Sequence, residues 1–247
     1  MKLLALDTST EQLSIAVQHG DRVWCHQAAG GAQASSRLIP DILALLAQAD
    51  LTLSALDALV VGRGPGSFTG LRTSCAVAQG LAFGTRLPVL GLDTLQALAP
   101  PVRAHDASAT RVLALLDARM HQVYAAAYEW REDDWHTITA PGLYDPADLS
   151  LPASWRDDLP VWLAGNAPDA LIDAPGLLRG PAGLARPRLV NLPEAQALLQ
   201  LAPKALARGE AVTAAELQPL YLRDKVAQTT AEREAIKAGL AVSGSPA

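Results

Sequence analysis

The chain has 247 residues, half of them apolar and 18% charged, with a formal net charge of −5. That length suggests one or two domains with a sizeable core, and the composition is that of an ordinary globular protein. The charge argues against a chain that grips nucleic acid by itself: residues 1–103 carry seven Lys/Arg and seven Asp/Glu, the remainder thirteen and eighteen, so neither half is basic.

The amino-terminal MKLLALD has too few apolar residues before Asp7 for a signal peptide, and no window approaches the roughly 20 apolar residues of a membrane span. Cys25 and Cys75 have neither CxxC spacing nor a disulfide-dense pattern. A cytoplasmic protein with no membrane association is expected.

Leu3 to Leu6 reads as a short apolar strand ending at Asp7, followed by the hydroxylated turn Thr8, Ser9 and Thr10. LSIAVQHG and RVWCHQAA then read as two strands joined at Gly20-Asp21. This order opens a ribonuclease-H-like domain. Ser35 or Ser36 can cap a helix of body RLIPDILALLAQA, with Pro40 tolerated in its first turn. Its residues Leu38, Ile39, Ile42, Leu43, Leu45 and Leu46 cover more circumference than one core-facing stripe needs.

After the strand Ala58 to Val61 comes GRGPGSFTGLRTSCAVAQGLAFG, Gly62 to Gly84. Gly64, Gly66 and Gly70, with Pro65 between the first two, allow a sharp turn and a close backbone approach. The helix behind them, Leu71 to Phe83, is apolar or small apart from Arg72, Thr73, Ser74 and Gln79, and Ser74, Ala78 and Ala82 form a small-residue ridge. Both helices are either buried all round in their own domain or present a partner surface.

Pro88 to Leu92 reads as a strand, Thr94 to Leu98 as a short helix, and Pro100 to Thr110 as a proline-rich connection, which sets a domain boundary near residue 103. Just beyond it, LALLDARMHQVYAAA lies ungapped against LLALDTSTEQLSIAV, matching Leu3 with Leu113, Asp7 with Asp117, Gln12 with Gln122 and Ala16 with Ala126. A duplication gives two ribonuclease-H-like domains in tandem, 1–103 and 104–228, in an α/β, actin-like (ASKHA) fold. Glu129 to Leu159 has little periodicity and reads as loop, VWLAGNAP as a strand ending in a glycine turn, Pro193 to Arg208 as a helix begun by proline, and LQPLYLRDKVA as extended. The tail 229–247 is expected to fray.

LALDTSTEQLSIAV, the long glycine-rich run, LLDARMHQVYAA and PLYLRDKVA, in this order, closely resemble the TsaB (YeaZ) family, paralogues of TsaD in the synthesis of threonylcarbamoyladenosine (t6A) beside the anticodon of tRNA. The resemblance runs to about Ala227 and is weakest from Glu129 to Arg188. It implies a scaffold that does not catalyse. TsaD, with a metal held by a His pair, transfers the threonylcarbamoyl group, the ATPase TsaE assists in a ternary complex, and tRNA is met only through the complex. It further implies a TsaD heterodimer, and self-association, through two helices of the first domain. On this sequence those are the segments carrying Leu38, Ile42, Leu45, Leu46, Leu71, Ser74, Ala78 and Ala82.

The residues themselves weaken an enzymatic reading. Actin-like kinases use an aspartate at the position of Asp7 for Mg²⁺ and a following glycine for phosphate, but here Thr8 and Ser9 follow. The glycine loop lacks GxxxxGK[ST] order, and Leu71-Arg72 stands where Lys and Ser or Thr would. Asp7, Thr8, Ser9, Gly64, Gly66 and Ser67 are therefore expected to give at most weak ATP or ADP binding or an anion contact at a helix start, and no cofactor is expected. His19, His26, His105, His121 and His136 show no pair spaced by three or four, and Ser35, Ser36 and Arg37 stand where the paralogue has its His pair. GPGSFTG is no nucleophile elbow. Asp117, Arg119 and His121 face either the interdomain cleft or solvent. The alternative function is a nucleotide-dependent phospho- or carbamoyl-transferase acting alone.

Overall fold

The computed structural model of the protein describes residues 1–31, 34–155, 159–173, 176–180 and 183–223. Two five-stranded sheets carry the fold. In the first, β1 (Lys2–Asp7), β2 (Gln12–His19) and β3 (Arg22–Ala29) form an antiparallel meander, and β4 (Ala58–Gly64) and β5 (Val89–Asp93) add in parallel on the other side of β1, giving the order β3-β2-β1-β4-β5. The second repeats this order, with β6 (Arg111–Asp117), β7 (Val123–Arg131), β8 (Asp134–Tyr144), β9 (Trp162–Ala164) and β10 (Arg188–Leu189) arranged as β8-β7-β6-β9-β10.

The central strands are apolar on both faces because both faces are covered. Leu4 and Leu6 of β1 face a core made with α1 (Ala34–Gln48) and α2 (Phe68–Thr85), while Leu3 and Ala5 face a central core shared by the two sheets. A third core lies on the far face of the second sheet, where Leu113 and Leu115 meet Trp155 and Ile172, the latter on α4 (Asp169–Asp173). The central core is closed by α3 (Ala99–His105) and α5 (Ala195–Ala207). Among the described residues no helix is long and apolar enough to cross a membrane.

The topology is duplicated, but the ungapped alignment that suggested it is one residue out of register. In both units the helix between the fourth and fifth strands lies away from the central core. Leu3 and Ala5 face that core, yet in β6 it is Val112, Ala114 and Leu116 that do so, with Leu113 and Leu115 on the opposite face. Matching Leu3 with Leu113, and Asp7 with Asp117, joins opposite faces, since a one-residue slip inverts every side chain of a strand.

Several expectations about the chain's path are corrected. Ser35 and Ser36 lie inside the first turn of α1 and do not precede it. The proline-rich connection is partly helical: α3 takes Pro100 and Pro101 into its first turn, where a missing N–H loses no bond, and residue 103 falls inside it. The presumed loop after Glu129 is a hairpin, turned by Glu132 and Asp133 at φ 51° and 58° and fastened by an edge-to-face pair of Trp130 and Trp135. Glu194, and not Pro193, stands at the start of α5, whose Ala195 N–H donates to the buried Ser14 hydroxyl of β2 at 2.9 Å. Although α5 belongs to the second half of the chain, it packs on β1, β2 and β4 of the first sheet. The tail 229–247 lies outside the described residues.

Candidate functional site

The end of β1 and the glycine-rich loop after β4 form one interlocked unit. Asp7 Oδ1 accepts the Ser9 N–H at 2.8 Å and the Ser9 hydroxyl at 2.6 Å. Its Oδ2 accepts the Thr94 hydroxyl at 3.4 Å, and the same Thr94 oxygen takes the Gly64 N–H at 3.0 Å. The carboxylate is thus satisfied within the fold, and Asp7 is 1% exposed. Burial pushes its pKa up to about 6, against the opposing pull of the Ser9 and Thr94 hydrogen bonds.

The glycines answer to this turn. A Cβ on Gly62 would come within 3.0 Å of the Asp7 carboxylate, one on Gly66 within 3.0 Å of the Ser9 carbonyl oxygen, and one on Gly70 within 3.0 Å of the Thr8 carbonyl oxygen. The Thr8 hydroxyl donates to the Gly70 carbonyl at 2.7 Å, and the Ser67 N–H donates to the Ser9 carbonyl at 2.6 Å. Gly64 has φ +124°, which a side chain resists, and its missing Cβ leaves room for the Leu220 carbonyl. The space that bare glycines leave for a phosphate in other loops is filled here by Asp7, Thr8 and Ser9.

Between the sheets lies a cleft of about 330 Å³ lined by Ser9, Glu11, Gly66 and Ser67 from the first unit and Asp117, Arg119 and Asn166 from the second, among others. Of the residues expected to contact a nucleotide, the cleft receives Ser9, Gly66 and Ser67, whereas Asp7, Thr8 and Gly64 do not line it. Asp117 and Arg119 do line it, paired at 3.1 Å, with the Asp117 N–H donating to Asn166 Oδ1 at 3.1 Å; His121 does not. Arg119 is consumed by Asp117, so Glu11 leaves the wall acidic, an unfavourable field for a polyphosphate. Ser67 caps α2, accepting the Gly70 N–H, which gives its hydroxyl a structural task. Among the described residues no three His, Cys, Asp or Glu side chains gather as metal ligands would. Glu11 and Asn166 carried no motif that could have marked them.

The second candidate surface is the outward side of α1 and α2, which lie beside each other on the first sheet. Here the residues singled out from the sequence are corrected as a group. Leu38, Ile42, Leu45 and Leu46 of α1 and Leu71, Ser74, Ala78 and Ala82 of α2 are all 3% exposed or less and face inward. They cannot touch a partner. What faces outward is the remainder: Ile39 at 43% and Leu43 at 53% on α1, and Phe83 at 83% on α2. A second small-residue ridge, Ala76, Gly80 and Gly84, is also exposed, and a Cβ on Gly80 or Gly84 would meet open space. The excess of apolar residues was readable in the sequence. Which of two small ridges packs on the sheet was not.

The family model described as "TsaD: tRNA N6-adenosine threonylcarbamoyltransferase" matches residues 25–160. The chain is 33% identical over 233 residues to the tRNA threonylcarbamoyladenosine biosynthesis protein TsaB of Escherichia coli (strain K12), covering 92% of this chain and 96% of that one. Its identity to the Haemophilus influenzae protein of the same description is 32% over 241 residues, covering 92% and 95% of the two chains. Among solved structures, YeaZ from Pseudomonas aeruginosa matches with a TM-score of 0.78 at 36% identity, over 90% of this chain and 99% of that one.

Proposed function

The chain belongs to the TsaB family of tRNA threonylcarbamoyladenosine biosynthesis proteins, and from that membership we propose that it is a non-catalytic scaffold subunit of t6A synthesis, pairing with the catalytic paralogue TsaD. Its fold is actin-like, two ribonuclease-H-like units in tandem. The observation that carries the reading is the outward face of α1 and α2, where Ile39, Leu43 and Phe83 flank an exposed ridge of Ala76, Gly80 and Gly84. Glycine inside a helix costs about 0.5–1 kcal/mol relative to alanine, and Gly80 relieves no contact within this chain. A helix backbone approaching from another chain gives that glycine a purpose. Self-association through the same face would compete with the heterodimer, the ATPase TsaE would join the pair, and tRNA would be met only through the complex.

The alternative, a transferase acting alone, needs Asp7 at the cleft to organise Mg²⁺. Its carboxylate is instead committed to Ser9 and Thr94. Weak ATP or ADP binding at Ser9, Gly66 and Ser67, against the acidic wall, would be compatible with scaffolding and is read directly by titration calorimetry.

Reconstitution tests the role: with purified TsaD, TsaE and tRNA, formation of t6A is expected to depend on this chain, and full modification without it would overturn the proposal. The surface is tested separately. Leu43→Asp and Phe83→Asp each place a charge on a side chain that is more than half exposed, and circular dichroism verifies that both variants fold. Each is expected to weaken pairing with TsaD by about 2 kcal/mol or more, a thirtyfold rise in Kd. Wild-type affinity in both variants, by biolayer interferometry, would move the interface elsewhere.

A further inference from the structure

The segment that follows α5 runs back along α2 before reaching the second unit. Gln79 Nε2 donates to the Leu217 carbonyl at 3.0 Å, and the Leu220 N–H donates to the Arg63 carbonyl of β4 at 2.7 Å. Tyr221 then meets the first turn of α2: Arg72 Nε donates to its hydroxyl at 3.0 Å, its ring lies 5.2 Å from that of Phe68, and the Arg72 guanidinium sits 3.8 Å over the Phe68 ring. Two residues later Arg223 reaches the β6–β7 turn of the second unit, where its Nη2 donates to the Ala118 carbonyl at 3.0 Å and its Nη1 to the Met120 sulfur at 2.9 Å.

That turn is unusual. Arg119, Met120 and His121 have φ of 63°, 54° and 59°, three successive residues with side chains in the left-handed region. Such residues persist only where their surroundings over-determine them. The Ala118 N–H to Gln122 carbonyl and Gln122 N–H to Arg119 carbonyl bonds close the turn from within, and Arg223 closes it from the carboxy-terminal segment. The turn is also a wall of the cleft, since Arg119 faces Gly66 and Ser67 across it.

We infer that Gln218 to Arg223 is an interdomain strap, which ties the amino-terminal turn of α2 to the left-handed β6–β7 turn and so sets the opening of the cleft. Phe68, Arg72, Tyr221 and Arg223 are its working parts. Aromatic and guanidinium groups suit the task, because they combine stacked area with directed hydrogen bonds and hold position on a segment that has no helix or strand of its own. Through the strap, the helix that carries the exposed Gly80 ridge is mechanically continuous with the cleft at its other end. The inference concerns the isolated chain and stands or falls independently of pairing with TsaD.

Hydrogen exchange of the full chain, read by mass spectrometry on peptides spanning 116–124 and 64–72, tests it with two variants at opposite ends. Arg223→Gln removes the clamp on the turn directly. Tyr221→Phe keeps the ring and removes only the hydroxyl that Arg72 engages, more than one contact away from the turn. Tyr221 is exposed and Arg223 half-buried, and thermal melts serve to verify that the variants stay folded. A strap requires Tyr221→Phe to raise exchange at Ala118 and Gln122 on the order of tenfold, in the same direction as Arg223→Gln, with β1 and β2 unchanged. If Tyr221→Phe alters only the 64–72 peptide, or if neither variant changes the turn, the contacts are local and the strap is refuted.

Discussion

Replacing Gly70 with alanine is expected to destabilise the protein by about 4 kcal/mol, while the same replacement ten residues further along the same helix, at Gly80, stabilises it by about 0.5–1 kcal/mol. Helix propensity alone predicts a gain of up to about 1 kcal/mol at both sites. At Gly70 the new methyl group would press on the Thr8 carbonyl oxygen, a backbone atom at the end of β1, and Thr8 is itself hydrogen-bonded to the Gly70 carbonyl. Neither backbone can yield without breaking the β1–β2 turn from α2, so the steric effect exceeds the propensity gain severalfold. At Gly80 nothing lies within 4 Å of the added atom. Urea denaturation of the two variants reads the result directly, and midpoints shifted in the same direction would refute the account of the glycine loop as a packing device.

The second large effect belongs to Asp7 and to pH. Its folded pKa of about 6 stands above the ordinary 3.8 because burial disfavours the charged form. An acid whose pKa rises on folding binds more protons in the native state. Its contribution to stability is therefore fully present below pH 4 and is lost as the pH climbs through 6. A rise of roughly two units corresponds to about 3 kcal/mol. Asp7→Asn keeps the acceptor for Ser9 and cannot ionise, so the stability of the variant relative to wild type is expected to increase by about 2–3 kcal/mol between pH 4 and pH 7. The difference between the two chains isolates this group from every other carboxylate. Parallel urea-unfolding profiles across that range would show that Asp7 is not held in a dry site.

Much of the architecture was legible in the sequence where residue type constrains the backbone strongly. The strand Leu3 to Leu6, the hairpin at Gly20-Asp21 and the strand, glycine loop and helix from Ala58 onward all lie where their patterns placed them. What escaped were features in which two solutions share one pattern. An apolar strand buried on both faces has no alternation, so the repeat was aligned a residue out of register. A helix with small residues at 74, 78 and 82 and again at 76, 80 and 84 offers two ridges, and only the close seat of α2 on β4 selects the first. The β7–β8 hairpin hid because Glu132 and Asp133, and not glycine, take its left-handed turn. At the cleft, Gly66 and Ser67 were readable, but the burial of Asp7 depends on Thr94, 87 residues away, and no local pattern reports it.

The seat of α5 has a consequence for how this chain is made. The first sheet owes the cover over Leu3, Ala5, Ala16 and Val60 to residues 195–207, the last helix in chain order among the described residues. At translation rates of about 5–20 residues per second, the sheet formed by residues 1–93 waits roughly 5–20 s with one apolar face uncovered. During that interval the uncovered face is open to chaperones and to aggregation, and a ribosome stalled between residues 93 and 195 holds a nascent chain whose sequence includes both outer helices but lacks the helix that covers its centre.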